Sequence, residues 1–143
     1  MRILQVITSL EMGGAETLLV NMIPRLQALG HEVDLCVFNG NENPLMQRLK
    51  EQCPQTNLFV LGTGYYNPLY IFKLMRMMRD YDLVHTHNSS PQLFVALASL
   101  WHKPLLCTTE HNTSNRKRNW RWYRPIERWM YHRYQHIICI SDI

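Results

Sequence analysis

Six short apolar runs rich in Val, Ile and Leu, separated by stretches with helical spacing or by polar loops, constrain this 143-residue chain more than any other feature. A continuous apolar run of four to eight residues suits a strand covered on both faces, and alternation with helices calls for a parallel sheet. Strands are expected over residues 3–8, 31–38, 58–61, 82–86, 105–109 and 136–140, and helices over 15–29, 44–52, 68–80, 91–101 and 120–134. The first helix carries apolar residues at Leu18, Leu19, Met22, Ile23, Leu26 and Leu29 and meets its stop signal at Gly30. Pro24 lies inside it and is expected to kink it, because the ring removes a donor and crowds the preceding turn. The reading is α/β: a Rossmann-like parallel sheet with helices on both faces, in a single domain spanning 1–143.

Composition narrows the classes. With 46% hydrophobic residues the chain can fill a core of this size. No apolar run approaches the roughly 18 residues that a membrane span requires. The N-terminal run, 3–10, is too short for a signal peptide and lacks a small-residue cleavage site, so a cytoplasmic location is expected. Cys36, Cys53, Cys107 and Cys139 are far apart with no C-x-x-C pair, which favours buried free thiols over bridges or a metal site.

In parallel α/β sheets ligands gather at the carboxyl ends of the strands. After the first strand the chain turns through Gly13 and Gly14, with Glu16 opening the following helix. Such a turn aims backbone N–H groups and the positive end of a helix dipole at one point, which suits a phosphate. It matches neither G-x-G-x-x-G nor the P-loop, so a plain strand-to-helix turn also fits. After the fourth strand come His85, Thr86, His87 and Asn88; after the fifth, Thr109, Glu110, His111 and Asn112; after the sixth, Ser141 and Asp142. Imidazole, carboxylate and amide groups from separate strands are thus expected on one rim. His85 and His87 share a strand face and, with His111, would allow a zinc or manganese hydrolase site; acidic ligands are sparse, and a buried His85 is the plainer expectation.

The order and spacing of GGAE, DLVHTHN, TTEHN and ICISD resemble the N-terminal half of a family-four retaining glycosyltransferase with the two-domain GT-B fold, over essentially the whole chain. The resemblance implies transfer of a sugar from a nucleotide-sugar donor to a glycan or lipid-linked acceptor, of the cell-surface polysaccharide type, with no metal or other cofactor. It implies that Gly13 and Gly14 approach the donor diphosphate and that His111 lies beside the transferred sugar. Glu16, His87, Asn88, Glu110, Asn112 and Ser141 would line the cleft. The bond-breaking step spreads positive charge on the sugar and negative charge on the diphosphate, so preorganised donors facing the leaving group fit the chemistry. The family carries a second Rossmann-like domain that holds most of the nucleotide. Residues 1–143 are therefore expected to be one truncated domain, inactive alone. A non-catalytic sugar- or nucleotide-binding module is the alternative.

The stretch 116–134 holds seven Lys or Arg, one acid and six aromatic residues, a net of +6, while the remainder has 8 basic against 10 acidic residues. Arg116, Lys117, Arg118, Trp120, Arg121 and Trp122 suit an anionic membrane surface, where rings settle at the interface and charges meet phosphates. Single-stranded nucleic acid favours the same mixture but is not the expected partner. The plain alternative is a core helix with Trp122, Ile126, Trp129, Met130 and the Arg133 stem packed inward. The family resemblance favours the membrane, and hence a peripheral position at its cytoplasmic face. Tyr65, Tyr66 and Tyr70 are candidates for an acceptor-facing or surface-covering loop, Met75, Met77 and Met78 for core filling, and His31 for a solvated turn.

Overall fold

The structure is a computed structural model that describes residues 1–8, 14–39, 44–62, 67–87, 89–101, 104–110 and 123–139. Its elements follow in the order β1 (Arg2–Ile7), α1 (Gly14–Ala28), β2 (Glu32–Asn39), α2 (Pro44–Gln52), β3 (Leu58–Gly62), α3 (Leu69–Met78), β4 (Leu83–His87), α4 (Ser89–Ala98), β5 (Leu105–Glu110), α5 (Tyr123–His132) and β6 (His136–Cys139). All six strands join one sheet, every pairing parallel, in the order β3-β2-β1-β4-β5-β6.

Strand alternation sorts the core into two layers. Ile3 and Ile7 of β1, with Val33, Leu35 and Val37 of β2, face Leu19, Val20 and Ile23 of α1 and Met46 and Leu49 of α2. Leu4 and Val6, with Cys36, Phe38, Val84 and Leu106, face α3, α4 and α5 through Tyr70, Leu74, Met78, Phe94, Val95 and Met130. Helices therefore cover both faces, as the continuous apolar strands require.

Element ends differ from expectation by a few residues. β4 and β5 each run one residue further, taking His87 and Glu110 into the strands, because strand pairing with a neighbour decides where a strand stops. α4 starts at Ser89, ahead of Pro91; the first turn of a helix leaves its N–H groups unpaired, so proline loses nothing there. α1 runs unbroken through Pro24. It closes as a Schellman turn: His31 N–H donates to Leu26 O (3.2 Å), Gly30 N–H to Gln27 O (3.0 Å), and Gly30 takes φ 96°.

That turn corrects the reading of His31. Folding back at Gly30 leaves the imidazole half-buried, with Nδ1 out of contact with water and without a hydrogen-bond partner among the described residues. It lines a recess of about 380 Å³ at the amino edge of the sheet with Arg2, Gln27, Glu32 and Asp34, on the edge away from the strand carboxyl ends. Nearby, the Tyr81 hydroxyl donates to Asp34 Oδ2 (2.5 Å); burial first, then this carboxylate, pushes the phenol pKa upward. Met78 is fully buried and Met75 and Met77 pack partly against the core, as expected of gap-filling side chains. Cys36, Cys53 and Cys107 are buried free thiols, and burial raises the pKa of each; the side chain of Cys139 lies outside what is described.

Tyr70 is a core residue and no acceptor-facing loop residue, while Tyr65 and Tyr66 lie outside the described residues. Its ring joins Phe38 (centroids 5.2 Å apart) and Phe94 (6.4 Å), tying β2, α3 and α4 together near the strand carboxyl ends. A Cβ on Gly62 would collide with the Tyr70 hydroxyl, so this end of β3 requires glycine. Gly62→Ala is expected to cost about 1–3 kcal/mol in urea unfolding, and to cost less in a Tyr70→Phe background. An equal cost in both backgrounds would locate the strain elsewhere.

Candidate functional site

The sheet order places β1 and β4 side by side at the point where the chain reverses direction across the sheet. From β1 it proceeds outward through α1 to β2; from β4 it proceeds the opposite way through α4 to β5. A crevice opens outside the carboxyl ends of two such strands, and it is where ligands of open α/β sheets bind. Two helix N-termini border it, α1 at Gly14 and α4 at Ser89, whose first N–H groups have no partner within their own helix and which each carry roughly half a positive charge. The first was expected from the glycine turn. The second was not, although Ser89 and Ser90 ahead of Pro91 are a helix-start signal.

Beneath the crevice, two buried polar networks hold the strand ends. On the α1 side, His87 Nε2 donates to Gln5 Oε1 (2.9 Å), joining β4 to β1. The His87 ring stacks at a tilt on His85, centroids 4.2 Å apart, and His85 Nε2 shares a 2.6 Å hydrogen bond with Thr109 Oγ1 on β5. All four side chains are buried. On the other side, Gln92 Nε2 donates to Thr108 Oγ1 (2.7 Å), Thr86 Oγ1 to the Tyr134 hydroxyl (3.3 Å), and the Tyr134 hydroxyl to Gln92 O (2.6 Å). β1, β4, β5, α4 and the turn after α5 are thus pinned to one another at this edge, which is what a preorganised binding rim needs.

His87 accordingly ends its strand at the rim with its ring turned into the sheet. His85 is buried between sheet and helix layer as the plainer expectation had it, and both Nε2 atoms are spent on strand-to-strand bonds. No group of three His, Cys, Asp or Glu is spaced for a metal ion among the described residues. Cys107 sits opposite His85 in the β4–β5 register, but burial raises its pKa, so the pair is unsuited to thiolate chemistry.

Of the residues singled out from sequence, Gly14, His87 and Glu110 fall on neighbouring elements at this edge: Gly14 opens α1, His87 ends β4 and Glu110 ends β5. Gly13, Asn88, His111, Asn112 and Ser141 lie outside the described residues, as do the side chains of Glu16 and Glu110. So do Arg116, Lys117, Arg118, Trp120, Arg121 and Trp122. The later part of the basic stretch takes the core-helix form. Met130 is buried, Trp129 packs partly against the core, and Arg133 donates from Nε to Ser99 Oγ (3.1 Å) and from Nη2 to Ser99 O (2.8 Å), closing the end of α4.

Gln5, Gln92, Thr108 and Tyr134 escaped the sequence reading, while Thr86 and Thr109 were expected on the rim but not as members of buried networks. Their signal was present: Gln5 interrupts an otherwise apolar run, and a polar residue inside a two-faced buried strand needs a buried partner. Gln5→Leu removes the carbonyl that accepts from His87 Nε2 and is expected to cost about 1–3 kcal/mol in urea unfolding. Combined with His87→Leu, the total is expected to fall below the sum of the single costs; strict additivity would show that the pair does not couple.

The fold recurs in solved structures. A glycosyltransferase from Rickettsia africae superposes with TM-score 0.68 at 20% identity, covering 98% of this chain and 36% of its own. Anabaena HepE, solved in complex with UDP, gives 0.68 at 17% identity, with 93% of this chain and 35% of its own. Acinetobacter baumannii MurG gives 0.69 at 13% identity, with 99% of this chain and 41% of its own. The chain thus spans between about a third and two-fifths of the length of these structures, and its sheet corresponds to the N-terminal half of a GT-B glycosyltransferase. No curated protein sequence matches it. The profile of Glycosyltransferase Family 4 matches residues 12–143, and with nearly the whole chain so matched this protein belongs to that family.

Proposed function

We propose that the chain is the acceptor-side domain of a retaining glycosyltransferase, of hexosyltransferase type, that moves a sugar from a nucleotide-sugar to a glycan or lipid-linked acceptor in polysaccharide assembly. The observation that carries the reading is the crevice between β1 and β4, where two helix N-termini meet on a rim braced by buried hydrogen bonds. Departure of a nucleoside diphosphate leaves negative charge, and helix N-termini stabilise it without reorganising. UDP in the solved HepE complex supports a donor of this kind.

In this reading the Gly13–Gly14 turn presents N–H groups to the diphosphate, and His111, just beyond β5, supports the developing charge on the sugar. Glu16, Asn88, Glu110, Asn112 and Ser141 hold donor and acceptor hydroxyls. His87 is a positioning residue, since its ring fastens β4 to β1. The nucleotide is held mainly by a second domain following this one, so residues 1–143 alone do not turn over. No cofactor is required. The segment 116–122 brings the domain to an anionic membrane surface at the cytoplasmic face.

The test is sugar transfer from a panel of UDP-, GDP- and TDP-sugars by a two-domain chain containing this segment, with the product anomer read by NMR. Retention of configuration is expected, and His111→Ala is expected to lower kcat by about 10²–10³. Inverted product, or turnover by residues 1–143 in isolation, would overturn the reading.

A further inference from the structure

The ladder between β2 and β3 breaks just before its carboxyl end. Pairing runs through Leu35 with Leu58, Cys36 with Phe59 and Val37 with Val60, skips Phe38 and Leu61, and resumes at Asn39 with Gly62. Leu35, opposite Leu58, donates to Asn57 O (3.0 Å); by the same step Asn39, opposite Gly62, would donate to Leu61 O. Instead Phe38 N–H and Asn39 N–H both donate to Thr8 O of the neighbouring chain segment, at 3.0 and 2.9 Å. Leu61 O is thereby left without its ladder donor, and a carbonyl so placed needs another.

Lys73 supplies it. From the second turn of α3 its ammonium donates to Leu61 O (2.7 Å), and it lies 5.9 Å from the centre of the Tyr70 ring. An ammonium has three donors and no acceptor. The other two donate to no described residue, and the side chain is exposed. α3 carries no acid, and the ion pair among the described residues, Arg2 with Glu32, lies at the amino edge. A neutral carbonyl thus fixes the position of this cation without compensating its charge.

The position is what gives the charge a use. Leu61 is the last but one residue of β3, so the ammonium stands at the carboxyl edge, the edge on which the crevice opens. Only β2 separates β3 from β1, which puts Leu61 roughly 10 Å along the sheet from β1. A group on the acceptor remote from the reacting hydroxyl can span that distance. We infer that Lys73 is a specificity-determining residue that binds an oxyanion carried by the acceptor, a sugar carboxylate or a phosphate. Its compact charge accepts either, since an ammonium imposes no planar, two-pronged geometry. The inference rests on the proposal that this domain holds the acceptor.

NMR titration of the isotope-labelled chain with methyl glucuronide, geranyl phosphate and the neutral methyl glucoside tests it. An anion and not the glucoside is expected to shift the backbone signals of Leu61, Gly62 and Lys73, in a manner that weakens with salt; a response to the glucuronide assigns a carboxylate, one to geranyl phosphate a phosphate. Lys73→Gln keeps a donor for Leu61 O but loses the charge, and is expected to weaken binding about tenfold or more, whereas Lys73→Arg retains most of it. Both variants are expected to melt with the unaltered chain because the side chain is exposed; should Lys73→Gln melt early, the salt dependence of the unaltered chain decides. No response to either anion, an equal response to the glucoside, binding insensitive to salt, undiminished binding by Lys73→Gln, or an equal loss in Lys73→Arg would each overturn the inference. Sugar transfer by the two-domain chain without anion binding at Lys73 sinks this inference alone; anion binding without transfer counts against the proposed function and not against the anion site.

Discussion

Pairing of β1 with β4 in the middle of the sheet is the constraint on which the molecule depends. Residues 3–6 of the first strand lie against residues 83–86 of the fourth, about eighty positions later, so the chain must lay down β2 and β3 on one side and return across the sheet through α3. That return creates the crevice. It also places the N-termini of α1 and α4 on either side of one gap, where no single local segment could put them.

Holding such a gap open and in register takes polar groups in a place where apolar ones would pack more simply. Gln5, His85, His87 and Thr109 form one buried set and Thr86, Gln92, Thr108 and Tyr134 another, both near the carboxyl ends of β4 and β5. A buried polar group is costly when unpaired and directional when paired. The amino halves of the same strands are mostly apolar, with Ile3, Leu4, Val33 and Leu106 in the two core layers. The two polar networks thus gather at the carboxyl edge, while toward the amino edge the buried Tyr81–Asp34 hydrogen bond adds a further directional contact.

The two helix layers differ in what they show to water. α1 and α2 present a mixed surface on which Arg48 Nη2 donates to Asn21 Oδ1 (3.1 Å). The α3–α4 layer shows the aromatic Phe72 and Trp101, whereas on the other layer the exposed apolar residues are the aliphatic Leu18 and Leu29.

What the sequence by itself determined was the set of elements and their class. Continuous apolar runs demand burial on both faces, helical spacing demands a covering helix, and Gly30 needs only its own backbone to end α1, so each is a local consequence of residue type. The motif order also carried the family, because strand-end residues are read directly from the chain. The partners of Gln5 and His87, eighty-two residues apart, were decided only by the tertiary structure, since no local pattern says which strands become neighbours. The same holds for Tyr70, which reads as part of an aromatic loop until the approach of Gly62, Phe38 and Phe94 makes it core. Side-chain role follows from what packs against a residue, and in a sheet of order β3-β2-β1-β4-β5-β6 the neighbours at the site come from distant parts of the chain.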